Sequence, residues 1–142
     1  MRFAQGMVIA SLVAMNACTF SDEVELFNNT GTGLVVRACD RAERVGDGLV
    51  VKLVPWCEGP VEVQFTTTRW TYRRITDRYI IQKAGVRTSR GNYVLKLQLQ
   101  SDGSIGVLSP KDTYPVATFV SQPEGFPIHP MSELTARPTR SL

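Results

Sequence analysis

The run Asn92-Tyr93-Val94-Leu95-Lys96-Leu97-Gln98-Leu99-Gln100 decides the fold. Tyr93, Leu95, Leu97 and Leu99 fall on one side of an extended chain, with Lys96, Gln98 and Gln100 on the other, which is the period of a half-buried strand. Ser101-Asp102-Gly103-Ser104 follows, and Asp-Gly between alternating stretches marks a tight two-residue hairpin turn. Ile105 and Val107 then return along the partner strand.

Upstream the same period recurs. Val61, Val63 and Phe65 alternate with polar residues. From Arg69 to Ile75, Trp70 and Tyr72 share one face while Arg69, Thr71 and Arg73 share the other. Leu49 to Val54 is apolar except for Lys52, as in a strand covered on both faces. Val24 and Leu26, then Leu34, Val36 and Ala38, flank Asn28 to Gly33 and predict a first hairpin. Asn28-Asn29-Thr30 also matches a glycosylation acceptor, but it reads as turn chemistry. The charge-dense stretch Asp40 to Asp47 predicts a solvated loop, and Tyr79 to Ala84 a short strand or single turn.

After Ser109, prolines at 110, 115, 123, 127, 130 and 138 leave room for one strand, Val116 to Val120, and a helical turn at Ser132 to Arg137. Many short strands separated by turn residues, without an amphipathic helix of normal length, predict an all-β domain. The expectation is a small antiparallel β-sandwich or barrel of about seven to nine short strands over residues 23–120. Residues 121–142 read as a Pro-rich tail, either hugging the surface or disordered.

Residues 1–17 have the parts of an export signal: a cationic start at Arg2, an apolar run from Gly6 to Met15, and a small residue, Ala17. The run is too short for a retained membrane helix, which needs about 20 apolar residues. Met15-Asn16-Ala17-Cys18 resembles the lipobox of bacterial lipoproteins, whose cysteine becomes the acylated first residue of the mature chain. Ala17 and Cys18 fit that pattern, while Met15 and Asn16 stand where Leu and a small residue are usual. The resemblance implies a membrane anchor on Cys18, a short tether over residues 18–22, and a place in the cell envelope. Thr19, instead of the Asp associated with inner-membrane retention, points to the outer membrane, facing the periplasm. A leader cut nearby is the alternative, with Cys18 then a free or disulfide-forming thiol.

With Cys18 acylated, Cys39 and Cys57 remain as an even pair that an oxidising compartment would join, unless both stay reduced and buried. Closing that loop contributes about 3 kcal/mol in the chain-entropy description.

The chemistry-bearing residues are sparse. His129 is the only histidine, which leaves no blue-copper ligand set, no histidine-rich zinc site and no well-placed triad, so no cofactor or metal is expected. Glu23 with Glu25, and Glu58 with Glu62, could serve a small carboxylate-dependent hydrolase, although side-by-side acids on a wet face are commoner. Gly31-Thr32-Gly33 opens no helix and is no phosphate loop. Charge segregation stands out. Residues 63–101 hold Arg69, Arg73, Arg74, Arg78, Lys83, Arg87, Arg90 and Lys96 against Asp77 alone, so the remainder of the mature chain is net acidic.

Arg69, Arg73, Arg74 and Arg78, with Trp70 and Tyr72 among them, form the candidate site for an anionic ligand. Lipid headgroups, an acidic polymer or an acidic protein partner would suit it; nucleic acid is not expected of an exported protein. The reading is thus a lipoprotein with a binding rather than a catalytic role. It either assembles into an envelope protein complex through its Pro-rich tail or binds anionic material through its arginine face.

Overall fold

A computed structural model describes residues 21–135. The leader, Cys18, most of the tether and the end of the tail lie outside those residues. Two sheets pack face to face as an all-β sandwich that does not close into a barrel.

The first sheet has the order β4 (Val50–Leu53), β1 (Glu23–Asn29), β8 (Tyr93–Gln100), β7 (Val86–Arg87), with β9 (Ile105–Val107) also paired to β8. The alternating Asn92–Gln100 run forms its central strand, and Leu95, Leu97 and Leu99 are fully buried. β1 and β8 are parallel neighbours, from Glu23 opposite Val94 to Asn29 opposite Gln100, so the sheet is mixed. The turn after β8 is one residue longer than expected: Gly103 N–H bonds the Gln100 carbonyl, and Gly103 takes φ +86°, where glycine is favoured.

The second sheet runs β10 (Ser132–Thr135), β6 (Thr68–Tyr72), β5 (Val61–Gln64), β2 (Leu34–Ala38), β3 (Arg41–Val45). The expected alternation holds in β5 and β6, whose inward residues Val61, Val63, Trp70 and Tyr72 join the core. Phe65 meets the Trp70 ring edge-on, with centroids 4.6 Å apart.

Several local expectations give way to non-local pairing. β1 and β2 are not a hairpin; they belong to different sheets, and the Asn28–Gly33 corner carries the chain between them. Asn28 is buried, its amide donating to the Thr32, Val45 and Gly46 carbonyls while its oxygen accepts from Thr30. The charged stretch at 40–47 is not a loop. It contains β3, an edge strand whose exposed charges discourage pairing with another chain. Cys39 and Asp40, both at positive φ, make the two-residue turn of the β2–β3 hairpin, the signature of a type I′ turn. β4 is covered on one face only: Val51 and Leu53 are buried in the core, while Val50 and Lys52 on its other face are exposed.

Residues 78–84 form a helix, α1 (Arg78–Ala84), instead of a strand or single turn. The Asp77 carboxylate accepts from Ile80 N–H as its N-cap, and Ile81 drives into the core.

The Pro-rich segment is a strap, and Val116–Val120 is not a strand, because it lies over the outer face of the first sheet instead of along an edge. Tyr114 stacks on Phe27 with ring centroids 4.7 Å apart. The Gln98 amide pairs with the Val116 backbone, and Gln122 pairs in the same way with Val107. Phe119 fills the space that a side chain at Gly106 would need. The strap then pairs Ile128 with Ile105 across a single bridge, sets Pro130 against Gly103, and enters the second sheet as β10. Ser132–Thr135 is therefore a strand and not part of a helical turn. X-Pro bonds at Pro115 and Pro127 are cis.

Candidate functional site

Cys39 and Cys57 form a disulfide with Cα atoms 5.9 Å apart, pinning the β2–β3 turn to the crossover between β4 and β5. That crossover, Val54 to Pro60, sits where the described chain begins. Trp56, at φ +61° and 53% exposed, donates its indole N–H to Asp22 at 2.9 Å. Asp22 is buried, and its other oxygen accepts the Tyr93 N–H at 2.7 Å, while Asn92 donates to the Ser21 carbonyl. The start of β1 is thereby fastened at a fixed point on one end of the sandwich.

The same end carries the arginines. β6 runs toward it, and the Thr76 hydroxyl after β6 donates to the Cys57 carbonyl. Arg73 and Arg74 leave the end of β6 exposed, and Arg78 is the exposed first residue of α1. Arg69 lies further back on the outer face of the second sheet, opposite Gln64 and Leu134. Trp70 and Tyr72 are not part of the surface site. The two-residue period that sends Arg69 and Arg73 outward sends these rings into the core, where the Tyr72 hydroxyl donates to the Gly103 carbonyl at 2.8 Å. Burial holds that phenol well above its usual range, so it stays a donor.

Arg73 and Arg74 line a groove of about 560 Å³ together with Glu58, Pro60, Asp77, Ile80 and Met131. Its lining sets the apolar Pro60, Ile80 and Met131 beside two arginines and two carboxylates, with the Asp77 carboxylate already engaged as the α1 N-cap. The Arg73 Nε–H touches the Met131 sulfur at 3.3 Å. Among the described residues, the ion pairs are Lys52–Glu23 and Lys83–Glu124; neither involves Arg69, Arg73, Arg74 or Arg78. Met131 reaches the groove through the place where the strap ends and Pro60 through the β4–β5 crossover, so local spacing marks neither as a site residue.

Of the paired carboxylates, Glu23 and Glu25 stay neighbours on β1, both beside Lys52, whereas Glu58 and Glu62 separate. Glu23 bonds Lys52 at 3.6 Å. Glu25 lies under the Tyr114 hydroxyl, between Lys52 and Lys96 on the neighbouring strands. Glu58 belongs to the arginine groove, whereas Glu62 lines another with Arg37 and Asp40. The described residues contain no cluster of three or more metal-ligating side chains, and no helix among them is long and apolar enough to cross a membrane. Comparison with protein-family models, curated proteins and solved structures finds no match to this chain.

Proposed function

We propose that the protein is a lipid-anchored envelope lipoprotein, held at Cys18 on the outer membrane and facing the periplasm, that works by binding anionic envelope material. The observation carrying this reading is the placement of exposed Arg73 and Arg74, neither in an ion pair among the described residues, beside Pro60, Ile80 and Met131 in a groove at the end where the chain enters the domain. Of the two binding roles, the arginine site is favoured over docking through the Pro-rich tail. Residues 114–131 are already engaged with the protein's own first sheet and with Gly103, which leaves them poorly available to a partner.

Intact-mass analysis of membrane-extracted protein tests the anchor: a chain beginning at Cys18 with acyl mass is expected, and a mature chain without it overturns the attachment. Retention on phosphocellulose tests the site. Changing Arg73, Arg74 and Arg78 to Glu should abolish retention, while the charge-matched change of Arg37, Arg41 and Arg44 to Glu should leave most of it. Equal loss in both variants refutes a localised site.

A further inference from the structure

Three independent features meet at the end of the sandwich where Ser21 enters. First, Cys18 lies three positions before Ser21, and Ser21 and Asp22 are fixed to Asn92, Tyr93 and Trp56, so an anchor there has almost no slack. Second, Trp56 presents an exposed indole whose N–H is already paired to Asp22. An aromatic ring with one satisfied polar edge suits the boundary between headgroups and acyl chains. Third, Arg73 and Arg74 follow β6 at this end, Arg78 begins α1, and Arg87 pairs in register with Tyr93. The acids at this end include Asp22, Glu23, Asp40, Glu58 and Asp77; Asp22 is paired with Trp56 and Tyr93, Glu23 with Lys52, and Asp77 caps α1.

We propose that this end of the sandwich rests on an anionic phospholipid surface, with Trp56 at headgroup level and Arg73, Arg74, Arg78 and Arg87 against lipid phosphates. The proposal rests on acylation of Cys18 and names the ligand of the arginine site as the membrane itself. A short tether makes the surface a neighbour at high effective concentration, so weak contacts suffice to orient the domain. Guanidinium forks match phosphate geometry, and Ile80 and the exposed Met131 in the groove lining give the upper acyl carbons an apolar contact.

The chain carries two tryptophans, and Trp70 is buried, so Trp56 is a native probe. Full-length protein purified from membranes is placed in phosphatidylcholine vesicles with and without phosphatidylglycerol, and tryptophan quenching by acrylamide is compared with that in detergent. Shielding of severalfold on the phosphatidylglycerol vesicles is expected. It should be lost in Trp56→Phe and reversed when Arg73, Arg74 and Arg78 become Glu, but kept when Arg37, Arg41 and Arg44 do. Trp56 equally accessible on vesicles and in detergent overturns the proposal, as does a groove that captures an acidic protein while Trp56 stays exposed. An intact mass without acyl chains overturns the anchor separately, and shielding on added vesicles still decides the docking.

Discussion

The side-chain amide of Gln98 and the backbone of Val116 form a reciprocal pair: Nε2–H donates to the Val116 carbonyl at 2.9 Å, and the Val116 N–H donates to Oε1 at 2.9 Å. Gln98 is fully buried, so it acts as a surrogate strand edge on the face of the first sheet. Gln98→Leu leaves both Val116 groups without partners and should cost about 2 kcal/mol, read from urea unfolding. A change below a few tenths would mean that water replaces the amide without penalty.

Gly106 and Phe119 make the adjoining contact. A Cβ on residue 106 would lie 2.5 Å from the Phe119 ring, so Gly106→Ala should lift the strap and cost about 1–3 kcal/mol. In a Phe119→Ala background most of that cost should vanish, and the double-mutant cycle measures the coupling. Strictly additive losses would place the strain elsewhere.

Reduction of Cys39–Cys57 should destabilise the fold by about 3 kcal/mol, because the bridge closes a loop of 18 residues' separation. Thiol titration after denaturation and reduction also reports on Cys18. Two reactive thiols are expected of an acylated chain and three of one whose leader cysteine is free.

Asp22 satisfies the Tyr93 N–H and the Trp56 indole together. Asp22→Ala should cost about 1–3 kcal/mol and loosen the β1 entry point, with faster amide exchange at Tyr93 as its local signature. Unchanged exchange at Tyr93 would contradict the fastening role.

Acid should act at the β8–β9 turn. The Ser104 hydroxyl, and then its backbone N–H, hold the Asp102 carboxyl below its ordinary value. A depressed folded value contributes stability that is present above the unfolded carboxylate range, about 3.9, and lost as the pH falls through the folded value. Ser104→Ala should raise the Asp102 titration midpoint toward that range, as followed by NMR.

The strands with strong period-two patterns were legible in the sequence, and β5, β6, β8 and β9 form where alternation puts them. What alternation does not encode is which strand pairs with which. β1 and β2 have hairpin-like spacing, yet they separate because β1 is taken up in parallel by β8, some seventy residues away. β3 was hidden by its own charges, which a strand at an edge tolerates. Tyr79 to Ala84, expected as a short strand or single turn, lies in α1 because Asp77 caps its first turn and Ile81 anchors it in the core, neither of which its short apolar run discloses. Val116–Val120 is apolar because it covers a face, and no local pattern separates covering from pairing.

The arginines of the candidate site were likewise visible, and the same alternation that exposed Arg69 and Arg73 consigned Trp70 and Tyr72 to the interior. Their convergence with Ser21 and Trp56 depends on contacts between residues far apart in the chain, Asp22 with Trp56 and Thr76 with Cys57, which spacing does not disclose.

The strap also sets an order of events during synthesis. Residues 114–135 supply the lid of one sheet and a border strand of the other, so a nascent polypeptide paused before Tyr114 would leave Phe27, Gln98 and Gly106 wet and β6 unfenced. The first four-fifths of the chain therefore reaches its final shape only after the last fifth has been delivered, and a chaperone that shelters the unfinished first sheet would be guarding the surface most prone to stick.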